Sequence, residues 1–352
     1  MKSDKTVVLL TPGFPENEQD TTCTTFLQDY VLSFIRLYPD VNLKIITFQY
    51  PFKEGSYKWN NVNIYSAGGK NTKYPGRIFT WIRVWKQLLR INKETKITVL
   101  HSFWLTECSL IAYWFSKIYH IKHIAYLIGQ DVFKNNKYLP LLNLNKIKLV
   151  AMSESISNEL FKTSGHRADK IIPLGVNITK TNLPQINQRV IDIIGVGSLI
   201  PLKNYELFID IIKELKTNFP EIKSCVIGGG PENDNLQDKI INNHLESNIE
   251  LKGEIEHDKV FDIMNKSKIF LHTSSYEGQS TVMMEALSCG LTIVCFDVGR
   301  FHSDEKMYVC SDKESMINTL KELLSKNDLN FEPIILQTMD DTVNDFVKLY
   351  ND

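Results

Sequence analysis

The sequence predicts an α/β protein built from two doubly wound, parallel-sheet domains, and three observations predict it. Short β-branched runs alternate with amphipathic helical stretches along the chain. The series starts afresh after a polar stretch at 179–188. The chain also has 352 residues, long for one domain of roughly 100–200.

Taken in order, residues 6–11 read as a β-branched strand. Its apolar run, Val7 to Leu10, is too short for a signal peptide and meets Pro12. A helix is expected at 26–37, strands at 43–48 and 97–101, a helix at 110–118, and strands at 121–128 and 148–152. In the second half, strands are expected at 190–196, 224–228, 249–251, 269–273 and 291–296, with helical patterns between them. Strand and helix alternating through short connections imply parallel sheets covered on both faces. The expected organisation is a first domain at 1–183, a second at 184–336, and a terminal helix at 337–352 packing back on the first.

Composition narrows the class. With 43% hydrophobic and 23% charged residues the chain is neither collagenous nor disordered. No apolar run approaches the ~18 residues of a membrane span, which points to a cytoplasmic protein, at most peripheral on a membrane. Six cysteines without a CxxC pair read as reduced thiols, with neither disulfides nor a metal site. The net charge of -1 conceals an imbalance: residues 1–185 hold 24 Lys and Arg against 13 Asp and Glu, and residues 186–352 hold 16 against 28. A basic half suits phosphates, an anionic substrate or an anionic membrane; without a recognised motif, nucleic acid is not expected. The segment 75–96 sharpens the membrane option. Ile78, Trp81, Ile82, Trp85 and Leu89 recur on one helical face, with Arg83, Lys86 and Arg90 on the other. Such a helix either lies on an anionic membrane surface or packs its apolar face on the first sheet.

Ligands of doubly wound sheets bind beyond the carboxyl ends of strands, so the loops after strands are where chemistry is sought. Gly195-Val196-Gly197-Ser198 runs to Lys203 after the first strand of the second half; glycines there let backbone N–H groups approach an anion, and phosphate is the natural guest. A dinucleotide fingerprint is disfavoured because Ile200 stands at the third glycine position. Gly228-Gly229-Gly230-Pro231 is either a ligand loop or a tight turn, and Gly253-Glu254 is a backbone corner that could flank a base. The strongest element runs from Ser274 to Gly290. There Glu277 and Gly278 precede a helix beginning near Ser280, with Gln279, Ser280 and Thr281 around its N-terminus. Glu285 follows about a turn and a half later, placed to accept hydrogen bonds from vicinal hydroxyls; alternatively Glu277 caps the helix and Glu285 is surface.

The pattern from Glu277-Gly278 through Glu285-Ala286 to Gly290 resembles the signature of family 4 of the retaining glycosyltransferases, which have the GT-B fold. Gly197-Ser198-Leu199 with Lys203, Gly228 to Pro231, Ile172 to Val176, Ala151 to Ser155 and Gly129-Gln130-Asp131-Val132 are similar to further segments of that family. The resemblance implies two Rossmann-like domains facing a cleft, and transfer from a nucleotide-sugar, UDP- or GDP-linked, with no further cofactor and no metal. It implies Glu285 on the ribose, Lys203 on the diphosphate, and Glu277 with the 278–281 backbone around the sugar, joined in donor binding by Gly197, Ser198, Gly229, Gly253 and Glu254. Glu277 and Lys203 are the expected catalytic pair. The acceptor, a glycan or a lipid-linked molecule, would meet Gly13, His101, Gly129 and Asp131 in the first domain. Two positions depart from the family: Ser198 stands where it has Arg, and Ile128 where it has His. An epimerase or hydrolase on the same fold, or a silent sugar-nucleotide-binding module, is the alternative.

Overall fold

A computed structural model describes residues 5–73, 75–177, 189–298, 306–326 and 328–352. The polar stretch at 179–188, with the expected boundary at 183, lies outside them. The chain divides into one unit of 1–174 with 339–352 and a second of 175–338, so the first unit ends at Leu174, ahead of the expected boundary.

The first unit contains β1 (Thr6–Gly13), α1 (Thr25–Leu37), β2 (Asn42–Tyr50), β3 (Gly55–Trp59), β4 (Val62–Ser66), α2 (Arg77–Glu94), β5 (Ile97–Phe103), α3 (Glu107–Tyr119), β6 (Lys122–Leu127), β7 (Lys148–Ala151), α4 (Glu154–Ser164) and β8 (Lys170–Ile171). Its sheet runs β3-β4-β2-β1-β5-β6-β7-β8, and every pair is parallel except β3 with β4. That hairpin is absent from the sequence reading. It turns on Asn60 and Asn61, both at positive φ as a two-residue turn requires, so its signal is turn chemistry rather than a hydrophobic run. β1 and β2 are buried over most of their length, as strands covered on both faces must be.

The second unit contains β9 (Ile191–Val196), α5 (Tyr205–Lys216), β10 (Ser224–Ile227), α6 (Asn233–Asn242), β11 (Ile249–Leu251), α7 (His257–Met264), β12 (Ser267–His272), α8 (Thr281–Ser288), β13 (Thr292–Phe296), β14 (Met307–Cys310) and α9 (Lys313–Leu324). Its sheet is wholly parallel in the order β11-β10-β9-β12-β13-β14, with an apolar cluster on each face. The order reverses between β9 and β12, which is where a doubly wound sheet opens a ligand crevice. The last helix, α10 (Met339–Asn351), belongs to the first unit: Phe346 and Tyr350 enter its core, and the Thr342 hydroxyl donates to the Pro173 carbonyl at 2.8 Å.

α2 is rotated from its expected orientation. Thr80, Val84, Leu88 and Ile91 face the sheet, about 120° around the helix from the expected stripe. Trp81 and Trp85 are half-buried on one flank, while Phe79, Ile82 and Leu89 are exposed. The helix is apolar over more than half its circumference, so periodicity alone did not settle which part turns inward. Among the described residues no helix is long and apolar enough to cross a membrane.

Two histidines lie in the first unit's interior. His101 sits between Phe103 and Phe346, each ring centroid 4.5 Å away, with Nδ1 2.6 Å from the Tyr350 hydroxyl. His123 places Nε2 2.8 Å from the Ser102 hydroxyl. Burial pushes both imidazoles down to about 3, with His123 adding to the effect on His101. Unfolded, they take up protons below pH ~6.5. Their contribution to stability is therefore intact above that pH and is lost as pH falls toward 3, by up to about 1.4 kcal/mol per pH unit for each group. Urea unfolding across this range is expected to show stability falling with pH, with a shallower slope in His123→Gln. An unchanged slope would mean that His123 protonates in the folded state.

Candidate active site

The loops after β9, β10 and β12 meet on one edge of the second sheet. The backbone of the first two is in direct contact: Leu199 N–H donates to the Gly229 carbonyl at 2.8 Å and Gly197 N–H to the Ile227 carbonyl at 2.9 Å. Gly228 and Gly230 have φ of 145° and 156°, and a Cβ at either would stand 2.0 Å from the Gly197 oxygen or 2.4 Å from the Leu199 oxygen. Loop-on-loop packing therefore accounts for these two glycines. Gly229, between them, faces Glu254, whose side chain is exposed. Gly253 has φ of 65°, with open space where a Cβ would be.

Lys203 lies in a short 3-10 turn, Pro201–Lys203, just before α5 rather than at its start. The turn is tied to the segment after β12: Ser275 N–H donates to the Leu202 carbonyl at 3.0 Å, and the Thr273 hydroxyl to the Lys203 carbonyl at 2.9 Å. Gly197 lets the Lys203 stem and the Tyr205 hydroxyl approach, 3.5 and 3.1 Å from where its Cβ would stand. The lysine Nζ donates to Oε1 of Glu277 in an ion pair whose side chains are 20% and 14% exposed. Ser198 is exposed on the same loop.

Sequence reasoning missed His272, the last residue of β12. Its Nε2 is 3.2 Å from the same Glu277 oxygen and 3.3 Å from the hydroxyl of Ser280, the residue before α8. Nδ1 of His272 is buried without a hydrogen-bond partner among the described residues. Burial by itself raises the Glu277 carboxyl; the His272 hydrogen bond and the Lys203 charge outweigh it and hold the group below its ordinary value. Glu277 is thus an ionised carboxylate. Tyr205 is pushed up, by burial first and the Glu277 charge second.

α8 starts at Thr281, with no capping hydrogen bond from the Ser280 side chain, after a buried Gly278, Gln279 and Ser280. Gln279 is turned inward, donating to the Met284 sulfur at 2.8 Å. Glu285 is not a free surface residue: its Oε1 lies 3.0 Å from Nε2 of His257, the first residue of α7, and its side chain is 16% exposed. His257 was also missed; its one sequence cue is a histidine four residues beyond the Gly253 corner. Among the described residues no cluster of three His, Cys, Asp or Glu side chains has the arrangement of a metal site.

In the first unit, the four residues expected around an acceptor do not form a comparable cluster. His101 is fully buried beneath α10, a packing position rather than a strand-end contact. Asp131 is buried as well, its carboxylate accepting the N–H groups of Leu105 and Gly129 at 2.8 Å each, so it fastens the loop after β6 to the start of the β5–α3 connection. Burial raises its carboxyl despite those bonds. Gly129 has extended backbone, and Gly13 ends β1 with Tyr50 3.3 Å from where its Cβ would stand.

The Lys203–Glu277 pair is open to a direct test. Lys203→Met leaves a largely buried carboxylate with His272 as its partner and is expected to lower stability by about 1–3 kcal/mol, short of a fully enclosed pair because some exposure remains. Adding Glu277→Gln removes the stranded charge and should recover most of that loss. Urea unfolding of the four proteins measures the coupling, and strictly additive losses would show that there is none.

Comparison with known proteins agrees with this geometry. Residues 180–330 match the family of glycosyl transferases group 1. The GPI3 subunit of phosphatidylinositol N-acetylglucosaminyltransferase from Saccharomyces cerevisiae is 34% identical over 107 residues, which is 30% of this chain and 24% of that protein. The chain thus matches only about a quarter of that relative's length. Among solved structures, sucrose-phosphate synthase from Thermosynechococcus elongatus superposes with a TM-score of 0.76 at 13% identity, covering 98% of this chain and 94% of that one. HepE from Anabaena, in complex with UDP and glucose, gives 0.69 at 14% identity, with 99% and 96% covered. With the motif loops gathered at the switch point of the second sheet, the chain has the GT-B fold, and its residues 180–330 match the glycosyl transferases group 1.

Proposed function

We propose that the chain transfers a sugar, with retention at the anomeric carbon, from a UDP-sugar to a glycan or lipid-linked acceptor. The observation that carries this reading is the cluster at the ends of β9 and β12. There a lysine pairs with a buried, ionised carboxylate just before the N-terminus of α8, and a second carboxylate lies about one turn into that helix. Departure of a nucleoside diphosphate builds negative charge, which Lys203 and the first N–H groups of α8 would stabilise without a metal ion or further cofactor. Glu277, with the 278–281 backbone, would accept the hydroxyls of the sugar. Glu285, steadied by His257, would accept those of the ribose. UDP is favoured over GDP because HepE holds UDP. The yeast relative's name couples phosphatidylinositol to N-acetylglucosaminyl transfer, which supports a hexosyl donor and a lipid acceptor. Cell-surface polysaccharide or glycolipid synthesis, on the cytoplasmic side, is the setting this suggests.

Incubation with UDP-, GDP- and ADP-sugars, with and without lipid and glycan acceptors, tests the reading. An epimerase would convert the donor without acceptor product, a hydrolase would release free sugar, and a silent module would bind without turnover. Glu285→Ala is expected to weaken UDP binding at least ~tenfold, because it removes charge-assisted hydrogen bonds of about 1.5–3 kcal/mol each from a desolvated site. Calorimetry measures this, and unchanged affinity in a folded variant would remove Glu285 from the donor site.

A further inference from the structure

α2 and α3 lie side by side on one face of the first sheet, where Trp85 of α2 meets Phe115 of α3 edge to face at 5.1 Å. Large side chains stay uncovered along this seam. On α2, Ile82 and Leu89 flank Trp85 at i-3 and i+4, and Phe79, one turn before, is 65% exposed. On α3, Trp114 is 44% exposed and Ile118 is 56% exposed, one position before Phe115 and three after it. These five residues belong to two different helices, so the patch is a property of the fold rather than of one amphipathic segment.

Charge on this face is mainly positive, with the carboxylates of Glu54 and Glu94 at its rim. From Arg77 to Lys93 there are five cations and no carboxylate, and from Cys108 to His120 one lysine and no carboxylate. Arg77 turns inward to Glu107 and Tyr138. Arg83 pairs with Glu54, and Arg90 with Glu94, at the rim. Lys86 and Lys93 have no ion-pair partner among the described residues, and Lys117 lies 5.0 Å over the Trp114 ring. The buried core of a protein–protein interface is depleted in lysine. Aromatic and aliphatic side chains ringed by lysine and arginine match the headgroup layer of an anionic bilayer instead.

We propose that the α2–α3 face docks on an anionic phospholipid bilayer, with Phe79, Ile82, Leu89, Trp114 and Ile118 entering the headgroup layer and the surrounding cations meeting lipid phosphate. The proposal does not depend on the donor-site reading. Flotation of the full chain with vesicles of phosphatidylcholine, alone or mixed with phosphatidylserine, tests it. The chain is expected to float with the mixed vesicles at low salt and to be released by salt. Lys86→Gln and Lys93→Gln should each weaken binding about fivefold. The α3 pair Trp114→Ser with Ile118→Ser should weaken it at least ~tenfold while thermal unfolding and UDP affinity stay as in the wild type. Failure to float with mixed vesicles, or equal binding to phosphatidylcholine alone, would overturn the proposal. So would wild-type binding by the α3 pair, because docking would then not use this face. A concentration-dependent dimer in sedimentation velocity, abolished by the same pair without lipid binding, would assign the face to a second copy of the chain.

Discussion

A parallel sheet places every strand's carboxyl end on the same edge, and the geometry of the candidate site in the second unit depends on that constraint. Its strand order reverses between β9 and β12, so the loops leaving those neighbours diverge. Lys203 and Glu277, 74 positions apart in sequence, come into contact there. The loop after β10 can close against the loop after β9 only because Gly228 and Gly230 lack a Cβ that would strike backbone oxygen. The turn before α5 is then fixed by the bonds from Ser275 and Thr273, so the lysine is held from both sides of the reversal.

Burying a carboxylate at such a place is unfavourable unless something offsets the lost hydration. Glu277 has two such partners, Lys203 and His272, on a single oxygen, and their combined effect exceeds the burial that opposes it. An ionised carboxylate accepts hydrogen bonds and donates none. Glu277 can therefore orient hydroxyls or stabilise positive charge, but it cannot serve as the acid that protonates a leaving group.

Much of the architecture was legible because parallel strands are short, apolar and regularly spaced with helices. β1, β2, β9 and β12 all overlap the expected runs at 6–11, 43–48, 190–196 and 269–273. β3, β4 and β14 were not: the first two depend on an asparagine turn, and β14 has a partly exposed, weakly patterned sequence. The loops after β9, β10 and β12 were legible because glycine and charged residues punctuate them. The histidines that hold Glu277 and Glu285 were not, since a histidine has no local pattern that reveals its neighbour across the sheet. α2 shows the complementary difficulty, with the periodicity correct and the inward direction wrong, because the tertiary partner chooses among apolar stripes.

The histidines show which positional cue carries information. His101 is followed by two more residues of β5, so it remains in the ladder and its ring is enclosed by Phe103, Phe346 and Tyr350. His123 is second in β6, at the amino end of its strand, and is buried with Ser102 and Ser109 nearby. His272 is the last residue of β12, and the chain turns back immediately after it, bringing Glu277 and Ser280 to its ring. A ring inside the ladder exchanges hydration for packing and stays neutral, whereas a ring at the carboxyl end is reached by the loops that carry charge. In a doubly wound sheet the distance from a polar residue to its strand's carboxyl end thus says more about its chemistry than the residue type does.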